Sequence, residues 1–177
     1  PAGFYYKTFM WPPSFWYKIY EPFIRMAAGF GEASIKHDKE RYEHKYEYCD
    51  LLITGSGPSG LASAYAAAKN GARVILAEDK PRFGGSLLTS DVNIGNQTGV
   101  EWTEKIIAEL KSMPNVTVKN RSQVFGYYDH NMLVMSERIS DHLPKTQKYL
   151  PKQRLWYIRA NEVLISSGSI ERPLVFG

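Results

Sequence analysis

Cysteine is almost missing from this sequence: Cys49 is the single example in 177 residues, which excludes an internal disulfide framework. Histidine is also scarce, and the four residues are His37, His44, His130 and His142. None of them has a cysteine or a second histidine at the spacing of metal ligands, so we predict no metal site. The lone cysteine fits the reducing cytoplasm, and we interpret Cys49 as a small packing residue rather than a nucleophile.

Long apolar runs and blocks of like charge are missing as well. Prolines and charged residues such as Lys18 and Arg25 interrupt the aromatic N-terminal residues, so the sequence predicts neither a membrane span nor a signal peptide. The 22 basic and 18 acidic residues are scattered among one another, and the formal charge of +4 does not indicate nucleic-acid binding. The chain is long enough for one domain with a buried core.

A Gly-x-Gly-x-x-Gly turn over residues 55–60 lies between a predicted strand at 51–54 and a predicted helix from Pro58 to Asn70. In this context the pattern is the fingerprint of dinucleotide-binding units. The first glycine permits the tight turn, the second leaves room for a pyrophosphate near the backbone, and the third lets the helix pack on the strand. The free N–H groups and the positive dipole end of the helix would face the phosphates.

An acidic residue follows the second strand of this unit. Residues 73–77 predict that strand, and Glu78 comes next, at about the 20-residue spacing from the first glycine that is expected of a ribose-binding carboxylate. Glu78 and its neighbour Asp79 would accept hydrogen bonds from ribose hydroxyls and repel a 2′-phosphate. The sequence therefore predicts NAD or FAD rather than NADP. The alternative is a βαβ unit whose glycines only tighten a turn.

The rest of the chain indicates an α/β domain. The expected elements are a helix at 101–112 capped by Thr98 or Gly99, a strand at 115–119, a hairpin of 123–128 and 132–136 around a turn at 129–131, a third meander strand at 155–159 and a buried strand at 162–166. The predicted fold class is α/β, a Rossmann-like parallel sheet with a βαβ dinucleotide-binding unit and a three-stranded antiparallel meander.

The N-terminal residues are rich in aromatic side chains. A helix is predicted over 14–28, and residues 32–48 predict a charged linker or surface helix. One face of the helix carries Phe15, Ile19, Phe23 and Met26. This apolar face either packs on the following domain or docks on another domain or subunit. We divide the chain into residues 1–48, an aromatic-rich segment with a linker, and residues 49–177, a dinucleotide-binding domain that we expect to be truncated at its C-terminal end.

The order of these features resembles the first nucleotide-binding domain of glutathione-reductase-type flavoproteins. The likeness covers roughly residues 50–173 and includes the Gly-Gly loop at 82–87, which follows the acid. It also includes the meander and the strand that ends in Ser167-Gly168. In that family the last loop closes over the dinucleotide.

A closer resemblance, to the alpha subunit of heterotetrameric sarcosine oxidase, runs over nearly the whole chain. The matching residues are Lys7-Thr8-Phe9-Met10-Trp11-Pro12, Trp16, Tyr20-Glu21, Ile24-Arg25, Ala27-Ala28-Gly29, Gly126-Tyr127-Tyr128-Asp129-His130-Asn131 and Glu171-Arg172-Pro173-Leu174-Val175-Phe176-Gly177. The resemblance implies that the chain is part of an oxidase that demethylates sarcosine oxidatively, with folate accepting the one-carbon unit. It implies FAD and the amine-oxidation site in a beta subunit, FMN between alpha and beta, and gamma and delta subunits as further partners. NAD is then the dinucleotide bound in the present fold, and the chain contributes no catalytic residue.

Carried over by position, the resemblance also implies which residues contact the cofactor. They are Gly55, Gly57, Ser59, Gly60, Glu78, Asp79, Lys80, Gly85, Ser86, Val124, Ser167 and Gly168. Ser59 and Ser86 stand where alanine and threonine are usual, and neither change should abolish contacts made by the backbone. Lys80 replaces an expected arginine, which weakens any planar stacking there. Val124 would offer backbone groups to the adenine.

Two other functions are compatible with the same residues. One is the FAD domain of a stand-alone pyridine-nucleotide-dependent oxidoreductase, although the Cys-x-x-Cys pair common in such enzymes does not occur in these residues. The other is an interaction module with a structural dinucleotide, which the aromatic N-terminal segment favours. We interpret Asp129 and His130 as turn formers rather than an acid–base pair.

Overall fold

A computed structural model describes residues 12–31, 34–144 and 149–169 of the chain. The matching motifs at 7–11 and 171–177 lie outside the described residues. The chain divides into two compact units, Pro1–Lys39 and Glu40–Gly177.

The hydrogen-bonding pattern of the helix in the first unit changes along the chain. It consists of a 3-10 turn at Pro13–Phe15, a π-helical turn at Trp16–Tyr20 and helix α1 at Glu21–Ala27. Pro22, in the first turn of α1, has no N–H to donate, so regular α-helical hydrogen bonding cannot run unbroken through this point. The helix predicted over 14–28 is thus confirmed, although it is built from three helical turns of different type. Gly29 follows α1 with a positive φ of 71°.

Most apolar side chains of these helical turns are exposed, whereas Trp16 and Tyr20 are half-buried. None of the residues in its three helical turns is buried. The predicted apolar face is exposed to 43% at Phe15, 51% at Ile19, 66% at Phe23 and 71% at Met26. Both alternatives from the sequence, packing on the following domain or docking elsewhere, therefore remain predictions.

We expect the chain to self-associate through this apolar face as its concentration rises, because burying one large apolar side chain contributes about 1.5–3 kcal/mol. Sedimentation of the chain with and without residues 1–31 measures the effect. The chain without residues 1–31 should stay monomeric at concentrations where the full chain forms faster-sedimenting oligomers. A full chain that remains a monodisperse monomer, with all four tryptophans shielded from a quencher, would contradict this expectation.

The second unit is built on a six-stranded sheet and two longer helices. The strands are β1 (Tyr42–Thr54), β2 (Val74–Ala77), β3 (Asn93–Ile94), β4 (Gln97–Thr98), β5 (Val116–Lys119), β6 (Ser122–Tyr128), β7 (Met132–Arg138) and β8 (Gln153–Ile165), and the helices are α2 (Pro58–Lys69) and α3 (Gly99–Ser112). The order in the large sheet is β5-β2-β1-β8-β7-β6, and β3 pairs with β4 separately. Strands β5, β2, β1 and β8 are parallel, and β6, β7 and β8 form an antiparallel meander. The predicted fold class is confirmed.

Strands β1 and β8 are long enough to belong to both parts of the sheet. Their parallel ladder runs from the pair Tyr42 and Gln153 to the pair Thr54 and Ile165. The end of β1, residues 51–54, also pairs with β2, whereas β7 pairs with the beginning of β8. The two long strands thus join the parallel layer to the meander.

Two sequence predictions about these strands are wrong. Residues 42–48 form the first half of β1 and are neither a linker nor a surface helix, because β8 completes their hydrogen-bonded ladder from far along the chain. The strands predicted at 155–159 and 162–166 are one continuous strand, and its end at 162–165 is exposed or half-buried rather than buried.

Neighbouring residues of β1 point to opposite faces of the sheet and into two separate cores. Ile53 packs with Leu61 of α2 and Leu110 of α3. Leu52 packs instead with Met135 of the meander, and all of these side chains are inaccessible to solvent. The parallel strands therefore lie between a helical layer and the meander.

Several local predictions are confirmed in detail. The Thr98 hydroxyl accepts a hydrogen bond from Glu101 N at 3.3 Å, and Glu101 Oε2 accepts one from Thr98 N at 2.8 Å, so Thr98 caps α3. His130 and Asn131 occupy the predicted hairpin turn with φ of 58° and 51°. Cys49 is 1% exposed, and burial raises the pKa of its thiol to about 12, which suits a packing residue and opposes a nucleophilic role.

The described residues contain neither a helix suited to a membrane nor a cluster suited to a metal ion. Across residues 12–31, 34–144 and 149–169, no helix combines the length and the apolar character that crossing a bilayer requires. In the same ranges, no group of three or more His, Cys, Asp and Glu side chains is arranged to hold a metal ion.

A partly exposed ion pair links Arg73, which directly precedes β2, to Asp50 of β1. Arg73 donates to Asp50 through Nε at 3.0 Å, through Nη2 at 2.7 Å and through its backbone N–H at 2.9 Å. The side-chain hydrogen bonds from Arg73, and then its backbone N–H, lower the pKa of Asp50 from 3.8 to about 2. The pair holds the two strands of the βαβ unit in register at their beginning.

We expect Asp50→Asn to lower the unfolding temperature slightly at neutral pH and to have no effect at very low pH. A carboxyl whose folded pKa is depressed contributes stability above its unfolded pKa of about 3.9, and that contribution is lost as the pH falls through about 2. The effect is small because the pair is partly exposed. Thermal unfolding of both proteins from neutral pH to about pH 2 measures it. A difference that stays constant over this range would contradict the assignment.

Candidate functional site

The site predicted from the sequence lies at the topological switch point of the sheet, where the chain has placed its next strands on opposite sides of β1. The chain leaves β1 toward α2 and β2 on one side, whereas β8 flanks β1 on the other side. In open α/β sheets, the crevice outside the carboxyl ends of such strands is where ligands bind. Here the glycine-rich turn follows β1 and the Ser166–Ser169 segment follows β8.

Two of the three glycines are required by packing within the protein. A Cβ on Gly55 would lie 2.3 Å from the carbonyl oxygen of Ser166, and its φ of +98° also disfavours any side chain. A Cβ on Gly60 would lie 2.1 Å from the carbonyl oxygen of Gly55 and 2.8 Å from Ser166 Oγ. These contacts hold α2 against the end of β1 and close the segment after β8 over the turn.

Gly57 differs from the other two glycines. A Cβ built on it would meet no protein atom within 4 Å, and its φ of −67° is open to any residue. Gly57 is the N-cap of α2, whose first N–H groups have no helical partner. The space on this side of Gly57 is not filled by protein atoms, and it lies beside helix N–H groups of the kind that bind anions.

The Gly-Gly loop lies directly against this turn. Gly84 donates its N–H to the carbonyl oxygen of Ser56 at 3.0 Å. A Cβ on Gly85 would lie 2.9 Å from the Cα of Gly57, and Gly85 has a φ of +53°. Ser86 follows in an exposed position of the short 3-10 helix Gly85–Leu88. The structure thus brings the loop after the acid into contact with the glycine-rich turn.

Glu78 is a buried carboxylate at the centre of the site, and 7% of the residue is exposed. Its Oε2 accepts hydrogen bonds from the N–H of Ser56 at 2.9 Å and from the hydroxyl of Ser56 at 2.5 Å. Its Oε1 accepts one from the N–H of Lys80 at 3.0 Å. The charge is therefore held by three donors of the protein.

The residues after Glu78 form the wall of a polar cleft. Asp79 pairs with Lys80 across 3.2 Å, and Arg138 donates to the carbonyl oxygen of Asp79 at 2.9 Å. The cleft has a volume of about 270 Å³ and is also lined by Gln123, Ser136 and Gln153. Burial raises the pKa of Asp79, but hydrogen bonds with the neighbouring Glu78 carboxyl group and with Lys80, together with the charge of Arg138, lower it overall. The two cations also weaken the repulsion that Asp79 can exert on an anion.

The other predicted residues lie on three different parts of the fold. Ser59 is exposed in the first turn of α2, and Ser167 and Gly168 are exposed after β8, where Gly168 has a φ of +68°. Val124 is half-buried on β6, and its side chain packs on the core. The N–H of Ser122, the first residue of β6, donates to the Glu78 carbonyl at 2.7 Å, which ties this strand to the end of β2.

Sequence reasoning missed three residues of this region. Ser56 occupies an unspecified position of the motif, yet it is inaccessible to solvent and contacts both Glu78 and Gly84. The Ser166 hydroxyl donates to the carbonyl oxygens of Thr54 and Gly55, both at 3.1 Å. Arg138 comes from a distant strand. The motif leaves the position of Ser56 unspecified, and no signal in the sequence pointed to Arg138.

Comparison with known proteins gives sequence relatives along nearly the whole chain. A family model described as FAD dependent oxidoreductase matches residues 50–112. The sarcosine oxidase subunit alpha of Rhizobium meliloti (strain 1021) is 48% identical over 176 residues, covering 99% of this chain and 18% of the relative. That of Corynebacterium sp. (strain P-1) is 36% identical over 150 residues, covering 84% of this chain and 16% of the relative. The chain therefore spans less than a fifth of the length of these curated relatives.

Among solved structures, the crystal structure of L-proline dehydrogenase from P. horikoshii is similar in fold. It superposes with a TM-score of 0.58 at 18% identity, over 82% of this chain and 27% of that one. At this identity the likeness supports the fold alone.

Proposed function

Because the chain belongs to the family of sarcosine oxidase alpha subunits, we propose that it is the dinucleotide-binding part of a multi-subunit oxidoreductase that demethylates sarcosine oxidatively. The observation that carries the proposal is the open space at Gly57, bordered by the N-terminus of α2 and the Gly84-Gly85 loop. Gly55, Gly57, Ser59, Gly60, Gly85, Ser86, Ser167 and Gly168 would surround the phosphates. Glu78, Asp79, Lys80 and Val124 would lie at the adenosine end.

The dinucleotide that we propose is NAD. Glu78 supports this choice, because a buried carboxylate accepts a hydrogen bond from a ribose hydroxyl and repels a 2′-phosphate. Asp79 contributes less, since Lys80 and Arg138 lie beside it. The preference for NAD over NADP therefore depends mainly on Glu78.

Calorimetric titration of the protein that carries this chain, with NAD and then with NADP, tests the choice. We expect NAD to bind at least about tenfold more tightly, a difference of about 1.4 kcal/mol. In Glu78→Gln the preference should shrink, because the repelling charge is gone. Equal or tighter binding of NADP by the unmodified protein would contradict the proposal.

A second candidate, FAD, is favoured by the family model for FAD dependent oxidoreductases that matches residues 50–112. FAD and NAD share the adenosine diphosphate half that the glycine-rich turn and Glu78 would hold. A parallel titration with FAD, followed by gel filtration, distinguishes them. Retention of the yellow flavin on the chain, with no competition from NAD, would replace NAD by FAD in the proposal.

The remaining chemistry is proposed to lie in the complete enzyme. FAD and FMN would supply oxidation there, with beta, gamma and delta subunits as partners and folate as the acceptor of the one-carbon unit. The residues of this chain bind and orient a dinucleotide, and none is proposed to act on an amine. The single cysteine, buried as a free thiol, fits a cytoplasmic location.

We expect the chain alone to form no peroxide from sarcosine, even with added FAD, because the amine-oxidation site is proposed to lie in a partner subunit. A peroxide assay of the chain beside the assembled enzyme measures this. Sustained turnover by the chain with FAD would contradict the proposal that the amine-oxidation site lies in a partner subunit.

A further inference from the structure

Ser56 lies where the three segments of the site meet. It is inaccessible to solvent and contacts the acid after β2 through its hydroxyl and its N–H. Its carbonyl oxygen and its hydroxyl both lie within hydrogen-bond distance of the N–H of Gly84, at 3.0 and 3.2 Å. One side chain therefore joins the glycine-rich turn, Glu78 and the Gly-Gly loop.

These hydrogen bonds divide the carboxylate of Glu78 into two unequal oxygens. Oε2 receives both donors of Ser56, which fills its usual capacity for two hydrogen bonds. Within the described part of the chain, Oε1 accepts the N–H of Lys80, and a ribose hydroxyl would be its second donor. The carboxyl group of Asp79 also lies within hydrogen-bond reach of the Glu78 side chain. The bonds to Ser56 also fix the rotation of the carboxylate, because turning it would leave a buried hydroxyl without an acceptor.

We propose that Ser56 is a positioning residue that presents Glu78 Oε1 to one ribose hydroxyl and thereby sets the discrimination between NAD and NADP. The inference rests on the proposed function of the site. It predicts that the ribose is read by a single oxygen of Glu78, since the other oxygen is committed to Ser56. A carboxylate that is fixed before the ligand arrives loses little conformational freedom on binding.

The test measures NAD and NADP affinities by calorimetry for Ser56→Ala, Glu78→Gln and the double variant, in the protein that carries this chain. We expect Ser56→Ala to weaken NAD about tenfold with little change for NADP, because the loosened carboxylate accepts poorly and repels less. In the Glu78→Gln background the same change should alter the ratio of the two affinities by less than about twofold, since Ser56 acts through Glu78.

Two further variants separate positioning from structural support. Ser56→Thr keeps the hydroxyl and should retain most of the preference for NAD. Ser122→Ala is a matched control: Ser122 is 1% exposed and its N–H donates to the Glu78 carbonyl, but its hydroxyl donates to Asn120 O and not to the carboxylate. Ser122→Ala should leave the ratio of affinities unchanged.

The outcomes distinguish the inference from the function on which it rests. If the unmodified protein binds NAD and Ser56→Ala keeps its preference, the positioning role is wrong and the proposed function stands. Additive losses in the double variant, a loss in Ser56→Thr as large as in Ser56→Ala, or a Ser56→Ala protein that does not fold would likewise overturn it. If the unmodified protein does not bind NAD, the proposed function fails and this inference fails with it.

Discussion

Gly57→Val is expected to abolish dinucleotide binding while the fold survives. The valine side chain would enter the space beside the N-terminus of α2, where no protein atom lies within 4 Å of the added Cβ. The protein therefore has little reason to unfold, and the φ of −67° suits valine as well as glycine. A pyrophosphate, in contrast, would collide with the isopropyl group.

Calorimetry with NAD and thermal unfolding measure the two consequences of Gly57→Val separately. We expect affinity to fall by more than about a hundredfold, which is about 2.7 kcal/mol or more. The unfolding temperature should change little. Affinity close to normal in a folded Gly57→Val protein would show that the phosphates do not lie on this turn.

Gly60→Val is expected to have the opposite effect and to destabilise the fold severely. Its Cβ would lie 2.1 Å from the carbonyl oxygen of Gly55 and 2.8 Å from Ser166 Oγ. Neither the backbone of the turn nor the start of α2 can move away without breaking the contact between helix and sheet. Overpacking of this kind costs about 1–3 kcal/mol when side chains can adjust, and the cost is higher against backbone.

Urea unfolding of Gly60→Val and Gly57→Val, compared with the unmodified protein, measures this effect. The two variants add the same side chain three positions apart in the same turn, so each is a control for the other. We expect the midpoint to fall sharply only for Gly60→Val. Equal midpoints for the two variants would mean that α2 does not pack on the turn as closely as described.

The βαβ unit was predictable because its signals are local. The motif at 55–60, the helix that ends at Asn70 and the strand at 74–77 are each specified by neighbouring residues, and the structure confirms them within one or two positions. The cap at Thr98 and the turn at 129–131 are of the same kind. Local physical constraints of this sort do not depend on where the rest of the chain lies.

The first half of β1 carries a local strand signal that its charge obscured. Aromatic and charged side chains alternate over residues 42–48, which is the period of a strand, but both faces are largely exposed, as they would be in a linker. The pairing with β8, near the other end of the chain, decides between the two structures. The division of β8 into two predicted strands had a different cause, since Asn161 and Glu162 are exposed polar residues within the continuous strand.

The candidate site shows the same limit. The glycines and Glu78 could be placed from spacing, because the fingerprint describes their tasks. The hydrogen bonds of Ser56 and Arg138 depend on how distant segments meet, and spacing carries no information about them. These contacts moved the expected preference for NAD away from Asp79 and onto Glu78.

The central claim is that NAD binds in this fold at the glycine-rich turn, and identifying the nucleotide that the protein retains tests it most directly. The protein that carries this chain is purified and denatured, and the released nucleotide is identified by its absorbance and its mass. We predict NAD from the unmodified protein and no nucleotide from Gly57→Val. Release of FAD or NADP instead, or of no nucleotide by a folded protein that also fails to take up added NAD, would contradict the claim.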